Sequence, residues 1–271
     1  MKDLSIIIVH HQTPGLLKLC LKSIEETTTG IDYEVIVVDS TISREAKDLI
    51  EDRSPRTFYL PFKENLGYAR GVNIGITRSS GRYIQILNPD IILTDGCLVK
   101  MLEYMKNRPD IGILGPKMLN FNGTLQKNYF SFYRPATIIA RRSFLGRFSF
   151  FKKALDDFLM SDANPRNIQT PDWLMGSALM INKEVLDKVG GMDEMFFMYF
   201  EDVDWARRFW HNDFKVIYYP KVVVYHYHQR ESVSGFGLLD ILFNRKTRWH
   251  IISAVKFFWK YRNLDKMLIY K

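Results

Sequence analysis

Residues 196–208, FFMYFEDVDWARR, concentrate acidic and aromatic side chains. Glu201, Asp202 and Asp204 lie within four positions, beside five aromatic residues. A charged carboxylate near apolar surface needs a partner or a chemical task, so this cluster is a candidate site for acid–base chemistry. The alternative is a solvated helix start, where acids stabilise the positive end of the helix dipole. These residues alone leave both interpretations open.

A second set of polar residues follows the predicted strands. His10, Asp39 and the run Asn88-Pro89-Asp90 each come directly after a buried apolar stretch, and open α/β sheets bind ligands beyond the carboxyl ends of their strands. Asp39 can accept the N–H of a pyrimidine or contact a ribose. Asp90 can hold a hard divalent cation against a diphosphate. Turn formation is the alternative for each Asp, and strand-end polarity is the alternative for His10.

The strands and helices that position these residues alternate along the chain, and this alternation predicts an α/β fold. Buried strands and helices follow one another at a spacing typical of a mostly parallel sheet with helices on both faces. The predicted strands of the first half are 5–10, 33–39, 57–60, 83–87 and 111–114. The predicted helices there are 14–24, 44–50, one starting within 65–75, and one capped by Thr94 and ending near Asn107.

The second half is less regular. Asn122-Gly123 predicts a hairpin, whereas residues 133–170 lose clean periodicity and suggest a mobile or acceptor-facing segment. Residues 172–182 predict one buried strand followed by a short helix. Two further strands are expected, at 214–218 and at 222–227.

Composition and cysteine usage describe an ordinary globular protein. The chain has 271 residues, of which 46% are hydrophobic and 25% charged, a balance typical of soluble domains. Cys20 and Cys97 have no Cys or His neighbours at metal-ligand spacing, so we expect buried thiols in a reducing compartment. The longest apolar run, 173–181, is about half a membrane span, and the amino-terminal run predicts a strand, not a signal peptide. The expected location is cytoplasmic.

The net charge of +8 is concentrated at the carboxyl end. Residues 238–271 contain eight Lys or Arg against two Asp, so the rest of the chain carries only +2. This distribution does not predict a nucleic-acid groove. The tail alternates apolar residues at helical spacing with basic ones, which favours a helix lying on an anionic membrane at the inner face of the cell membrane. Packing on the body, or on a partner subunit of a homo-oligomer, is the alternative.

Several motifs together resemble one known family. The matching residues, in order, are SIIIVHH (5–11), Val38-Asp39, NLGYARGVN (65–73), NPD (88–90), Asp172-Trp173 with Gly176, GGMDEMFFMYFEDVD (190–204), and Tyr219-Pro220 with His226 and Ser232. In this order and spacing the sequence resembles the inverting glycosyltransferases of family 2, and among them the rhamnosyltransferase-like branch. The resemblance implies a GT-A fold over residues 1–237, with a nucleotide-sugar half to about 115 and an acceptor half from 116, followed by the helical extension 238–271.

The resemblance also implies roles for matched positions. On the donor side, Asp39 reads the base, and the nucleotide-sugar pocket is lined by His10, Asn65, Arg70 and Asn88. Asp90 holds Mg²⁺ or Mn²⁺, and His226 approaches the metal or the diphosphate. On the acceptor side, Asp202 is the catalytic base, with Trp173 and Glu201 beside the acceptor. Spacing alone does not choose among the three acids of the cluster.

Two positions depart from the family pattern. Asn88 stands where the family's D-x-D element has its first Asp, so the metal site has one carboxylate fewer. Asp39 is followed by Ser-Thr-Ile-Ser in place of the usual Asn and Thr-Asp pair, which leaves the ribose contacts open.

The implied reaction moves a sugar, with rhamnose from dTDP-rhamnose favoured, to a hydroxyl of a surface-glycan or lipid-linked acceptor. Another UDP- or dTDP-sugar, or a non-catalytic sugar-nucleotide-binding protein, is the alternative. A sugar-nucleotide pyrophosphorylase would open with a glycine-rich basic loop, and the first loop here is HHQTPG.

Overall fold

The computed structural model describes residues 1–51, 56–142, 149–227 and 244–263. Its strands are β1 (Lys2–His10), β2 (Tyr33–Asp39), β3 (Thr57–Pro61), β4 (Gly81–Leu87), β5 (Ile91–Leu93), β6 (Ile111–Leu119), β7 (Leu125–Gln126), β8 (Tyr129–Phe130), β9 (Trp173–Leu174), β10 (Ala178–Asn182) and β11 (Lys215–His226). Its helices are α1 (Pro14–Thr27), α2 (Arg44–Glu51), α3 (Tyr68–Arg78), α4 (Cys97–Lys106), α5 (Pro135–Arg142), α6 (Ser149–Leu159), α7 (Lys183–Val189), α8 (Glu201–His211) and α9 (Arg245–Tyr261).

Within the part of the chain that the structure describes, nine strands form the central sheet, in the order β3-β2-β1-β4-β10-β6-β11-β5, with β7 paired to β6. The first four strands are parallel, as the alternating pattern predicts. β10 runs antiparallel to both of its neighbours, so the second half of the sheet is mixed. The α/β class is therefore confirmed, and β8 and β9 form a separate antiparallel pair.

Helices cover both faces of the sheet, which explains why β1, β2 and β4 are nearly continuous apolar runs. Ile6 and Ile8 face the core beneath α1, α2 and α4. Ile7 points the other way, into the core shared by α3, α7, α8 and α9. α3 lies very close to β1, because a Cβ at Gly75 would come within van der Waals overlap of Ile7.

Most predicted elements of the first half are confirmed, with two differences. β5 was not predicted, because three residues are too few to show a period. Thr94 does not cap α4, which begins at Cys97 after Gly96 in the left-handed conformation. The Thr94 hydroxyl instead donates to the carbonyl of Val223 at 2.6 Å.

The second half differs more. The hairpin at 122–123 is confirmed as the β6–β7 turn. Residues 172–182 form two strands separated by 175–177, and not one strand. The two strands expected at 214–227 are a single strand with a register shift between Tyr219 and Val223. The irregular stretch 133–170 contains α5 and α6. Residues 238–243 and 264–271 of the predicted tail helix lie outside the described residues.

Candidate active site

His10 and Asp39 meet at the carboxyl ends of β1 and β2, where they are register partners. Both side chains are fully buried. Nε2 of His10 accepts a hydrogen bond from the backbone N–H of Thr13 at 3.0 Å, so the ring proton is on Nδ1. That nitrogen donates to Oδ1 of Asp39 at 3.0 Å. The imidazole therefore fixes Asp39 and the first loop relative to each other.

The Asp39 carboxylate is already satisfied by protein donors. Its Oδ2 accepts from the backbone N–H of Ser43 at 2.8 Å and from the Tyr59 hydroxyl at 2.6 Å. Burial alone would raise the pKa of Asp39, but hydrogen bonds from His10, Tyr59 and Ser43 outweigh burial and lower the pKa to about 2. Asp39 is thus an ionised anchor of the turn after β2. Direct contact between this carboxylate and a nucleotide base stays a prediction.

Asp90, after β4, meets His226 at the end of β11. Nε2 of His226 lies 3.3 Å from Oδ1 of Asp90. On its other side, Nδ1 of His226 lies 3.0 Å from Oε1 of Gln126. The backbone fixes this pairing, because the N–H of Tyr227 donates to the Asp90 carbonyl at 3.0 Å. Residues far apart in sequence thus form one polar group.

Two oxygens of this group have no hydrogen-bond partner among the described residues. They are Oδ1 of Asn88 and Oδ1 of Asp90, and both are buried. Across all the described residues, no three His, Cys, Asp or Glu side chains cluster at metal-binding distance. The backbone N–H of Asn88 donates to the carbonyl of Ser177 at 2.8 Å. The 88–90 loop is therefore held against the break between β9 and β10.

Gly67 and Tyr68, at the start of α3, connect the two halves of the site. Gly67 has φ of 75°, and a Cβ there would lie 2.6 Å from the carbonyl oxygen of Phe197, so glycine alone permits this approach. The N–H of Tyr68 donates to that same carbonyl at 3.0 Å. The Tyr68 hydroxyl donates to the carbonyl of Gly176 at 2.7 Å. α3 is thereby tied to the segments near Gly176 and Phe197, next to which the predicted acceptor-side residues lie.

The charges of three acids affect the pKa of the Tyr68 hydroxyl. Burial, followed by the charges of Glu201, Asp202 and Asp90, raises the pKa of Tyr68 well above its ordinary value. The phenol is therefore neutral at physiological pH. Acids from both sequence clusters thus act electrostatically on one hydroxyl.

α8 starts from a strained backbone. Tyr199 and Phe200 both have φ of 69°, in the left-handed region that residues with a Cβ rarely adopt. The Phe200 ring packs against Tyr133 at 4.8 Å and Phe257 at 5.4 Å between centroids. Packing of this kind can hold a strained residue in place. The turn sets the directions in which the first two acids of α8 point.

Glu201 and Asp202 occupy different environments. Oδ2 of Asp202 accepts the backbone N–H of Gly176 at 3.0 Å, and Oδ1 accepts the N–H of Val203 at 2.9 Å. Burial raises the pKa of Asp202 to about 6, although these hydrogen bonds oppose the shift. Burial, followed by the charge of Asp202, raises the pKa of Glu201 well above its ordinary value. At neutral pH, Asp202 is therefore the ionised member of the pair.

Asp204 is committed to structure. Its fully buried carboxylate contacts Nε of Arg208 at 2.9 Å, Nζ of Lys260 at 2.6 Å and the Tyr261 hydroxyl at 2.8 Å. Such donors neutralise a charge that would otherwise be costly to bury. Since Glu201 is buried as well, a merely solvated helix start does not describe this cluster.

Three other predicted site residues have partners within the protein. Oδ1 of Asn65 accepts the N–H of Gly67 at 3.0 Å, and exposed Arg70 lies 3.7 Å from Glu64. Trp173 is buried, and its Nε1 donates to the carbonyl of Ser131 at 2.9 Å. Their predicted roles are not tested by these contacts. Ser232, part of the family resemblance, lies outside the described residues.

Sequence reasoning missed Tyr68 and Gln126. Tyr68 lies inside the matched segment 65–73 but was given no role, although a phenol directly after a glycine at a helix start is a visible signal. Gln126 has no such signal. Its contact with His226 depends on β7 and β11 both lying beside β6, which local sequence does not show.

Comparisons with known proteins identify the family of the chain. The family model described as "Glycosyl transferase family 2" matches residues 5–206. An N-acetylglucosaminyl-diphospho-decaprenol L-rhamnosyltransferase of Mycobacterium tuberculosis is 26% identical over 241 residues, which cover 84% of this chain and 77% of the relative. The rhamnosyltransferase WbbL of Escherichia coli K12 is 22% identical over 277 residues, which cover 96% of this chain and 94% of the relative.

A solved structure of GalNAc-T7 with UDP, GalNAc and Mn²⁺ shares the fold. The TM-score is 0.65 at 13% sequence identity, over 88% of this chain. The chain spans 45% of that solved chain. This likeness supports the GT-A architecture of the chain.

Proposed function

The chain belongs to glycosyl transferase family 2, and on that premise we propose that this glycosyltransferase moves a hexose from a nucleoside-diphosphate donor to an acceptor hydroxyl, with inversion at the anomeric carbon. We favour dTDP-rhamnose as donor, because the two relatives described above are named rhamnosyltransferases. A lipid-linked or surface-glycan acceptor is supported by the name of the Mycobacterium tuberculosis relative, which specifies a sugar-diphospho-lipid.

The observation that carries the proposal is the position of Tyr68. Its hydroxyl lies in the fields of Asp90, Glu201 and Asp202, although Asp90 is more than 100 residues from the other two acids in sequence. A transferase needs one polar group for the leaving diphosphate and another for the attacking hydroxyl, on facing sides of one cleft. The placement of the acids about Tyr68 supports such a cleft.

Asn88, Asp90 and His226 fit a divalent cation. Hard cations take oxygens such as Oδ1 of Asn88 and Oδ1 of Asp90, both of which are buried without a hydrogen bond among the described residues. The imidazole of His226, whose Nδ1 lies beside Gln126 Oε1, brings Nε2 within 3.3 Å of the same Asp90 oxygen, so a third potential ligand stands next to these two. Bound Mg²⁺ or Mn²⁺ would neutralise charge on the leaving diphosphate. With one carboxylate here, diphosphate oxygens and water would supply further ligands.

Asp202 is the proposed general base. The charge of Asp202 raises the pKa of Glu201, so Asp202 ionises first, and Asp204 is neutralised by its cationic partners. Asp202 is therefore the acid of the cluster best placed to accept a proton. The acceptor hydroxyl gives its proton to the Asp202 carboxylate as its oxygen bonds to the anomeric carbon. The nucleoside diphosphate leaves with the bonding electrons. Loss of such a base typically lowers the rate by ~10²–10⁴-fold.

The competing proposals use the same cleft. Another UDP- or dTDP-sugar would change the donor, and a non-catalytic sugar-nucleotide-binding protein would bind without turnover. A thermal-shift screen of nucleotide sugars with and without Mn²⁺ separates the donors, since a ligand at ~100 times its dissociation constant adds about 2.7 kcal/mol to the free energy of unfolding. Proton NMR of the product then shows transfer and anomeric configuration. Stabilisation by no nucleotide sugar would contradict the proposal, and binding without turnover would favour the non-catalytic alternative.

The outer face of α9 supports a membrane-associated enzyme. Ile252, Val255 and Trp259 are 51%, 64% and 63% exposed, and the guanidinium of Arg262 lies 4.4 Å from the Trp259 ring centre. In the described residues, no helix has the length and hydropathy to cross a bilayer. We therefore propose that this apolar and basic face lies in the interface of an anionic membrane, where a lipid-linked acceptor would be found.

Sedimentation with liposomes tests this association. Full-length protein should sediment with anionic vesicles and not with neutral ones, in a salt-sensitive manner, and Val255→Ser with Trp259→Ser should abolish sedimentation. Phe58→Ser is the matched control, because Phe58 is comparably exposed on β3. Equal binding by wild type and the double variant would contradict the proposal. Dimerisation lost in the double variant would assign the face to a homo-oligomer contact.

A further inference from the structure

We infer that α9 is a positioning element of the active site, with Lys260 as its principal positioning residue. The element that α9 positions is the segment 193–200, called here the approach segment, which leads directly into Glu201 and Asp202. The inference rests on the proposed function, because it gives α9 a role in placing the base Asp202. In this inference the inner face of α9 positions the active site, whereas the outer face is the one proposed to contact a membrane.

The inner face of α9 contacts the approach segment repeatedly along its length. Hydrogen bonds run from Lys260 Nζ to Asp193 at 2.6 Å, from Lys256 Nζ to the carbonyl of Met195 at 2.7 Å, and from the Ser253 hydroxyl to the carbonyl of Met198 at 2.9 Å. Ring contacts join Trp249 to Phe197 at 4.8 Å, and His250 to Tyr199 and Phe200 at 5.3 Å. Two of the basic side chains that suggested a membrane face are therefore directed to the body.

Lys260 joins the two ends of this arrangement. The same Nζ that contacts Asp193 lies 2.6 Å from Oδ1 of Asp204 in the first turn of α8. One ammonium therefore links the beginning of the approach segment to the helix that carries Asp202. Because Asp204 is fully buried and Lys260 is only 26% exposed, this pair is partly desolvated and less screened by salt than an exposed pair.

The approach segment needs such support because its end is strained. Tyr199 and Phe200 both have positive φ, and strained conformations persist only where surrounding contacts determine them. Relaxation of either residue would rotate the start of α8 and move Asp202 away from its bond with Gly176. A displacement of about 1 Å at a catalytic group can lower a rate by 10²-fold.

The inference is tested with Lys260→Met, and with Ser253→Ala as a milder variant of the same face. Lys260→Arg keeps the charge, and Leu19→Ala is the control at an exposed apolar position of helix α1. Hydrogen–deuterium exchange reports on the approach segment without needing turnover. Calorimetric titration with dTDP and Mn²⁺ gives the fraction of chains that bind nucleotide. Transfer of rhamnose from dTDP-rhamnose to a short-chain alkyl-diphospho-N-acetylglucosamine gives kcat.

We expect Lys260→Met to speed exchange at 193–202 while β1 and β2 stay protected. The kcat of Lys260→Met, counted per chain that binds nucleotide, should fall about 10- to 100-fold. Ser253→Ala should also speed exchange and lower kcat, but by less. Lys260→Arg should keep most of the wild-type rate. Unchanged exchange at 193–202, or a rate that falls only in proportion to the binding fraction, would overturn the inference. If the wild-type chain transfers no sugar while exchange responds as expected, the proposed function fails and the positioning contact stands.

Discussion

Three neighbouring carboxylates have three different fates because their surroundings differ. Asp204 is neutralised by Arg208 and Lys260. Burial and the charge of Asp202 raise the pKa of Glu201, and Asp202, which accepts two backbone N–H hydrogen bonds, ionises first. The sequence predicts the cluster but cannot assign these fates, since two of the partners of Asp204, Lys260 and Tyr261, come from α9. All three acids lie in the first turn of α8, and the tertiary environment separates them.

Asp202→Asn should lower transfer by at least ~10²-fold and change how stability depends on pH. The folded-state pKa of about 6 lies above the ordinary value of 3.8, so ionised Asp202 costs stability, and that cost develops as pH rises from about 4 to 6. Asn has no such charge but loses one backbone hydrogen bond at every pH, since its NH2 group cannot accept the N–H that the second carboxylate oxygen accepts. The free energy of unfolding of the variant relative to the wild type should therefore improve by on the order of 1–3 kcal/mol between pH 4 and pH 8. Thermal denaturation at pH 4 and pH 8 checks this, and a Tm difference between the two proteins that is the same at both pH values would contradict it.

Transfer should depend on pH through the same group. Because only the ionised carboxylate accepts a proton, kcat should fall as pH decreases through about 6. Glu201→Gln should keep this acidic limb, since the limb belongs to Asp202 and burial, not the charge of Glu201, raises the pKa of Asp202. A profile measured from pH 5 to 9 checks the expectation. A rate independent of pH between 5 and 7 would count against Asp202 as the base.

At the scale of elements, the start of α3 is placed by one glycine. Gly67→Ala combines a positive φ with a clash against Phe197, whereas Gly30→Ala has the same φ penalty with no atom within 4 Å. We expect Gly67→Ala to lower the free energy of unfolding by about 1–3 kcal/mol and Gly30→Ala to cost less. Urea unfolding and a transfer assay measure both effects. Equal losses in the two variants would show that the contact with Phe197 is unimportant.

The elements that sequence predicts well are those with a strong local period. β1, β2 and β4 are continuous apolar runs in a parallel sheet, and their ends place His10, Asp39 and Asp90 as expected. The break at 175–177 was not predicted, because the apolar pattern continues through it. That break is functional in the proposal, since Gly176 gives its N–H to Asp202 and its carbonyl to Tyr68.

At the scale of the whole molecule, the site is assembled from contacts distant in sequence. The pairing of Asp90 with His226 depends on the strand order β6-β11-β5, and Tyr68 connects the first half of the chain to Gly176 and Phe197. Family resemblance supplied these residues as a set, but not their geometry. The carboxyl-terminal helix α9 shows the same limit of sequence analysis. Its hydrophobic period predicts an amphipathic helix, but only its packing against the rest of the protein shows which face is buried.

One experiment tests the central claim that Asp90 binds the donor side and Asp202 activates the acceptor in one cleft. Calorimetric titration with dTDP or UDP in the presence of Mn²⁺, followed by a transfer assay, is compared for wild type, Asp90→Ala and Asp202→Asn. Asp202→Asn should bind nucleotide like the wild type and transfer at least ~10²-fold more slowly, and Asp90→Ala should lose Mn²⁺-dependent binding with an unchanged fold. Retention of Mn²⁺-dependent binding by Asp90→Ala, or normal transfer by Asp202→Asn, would contradict the account.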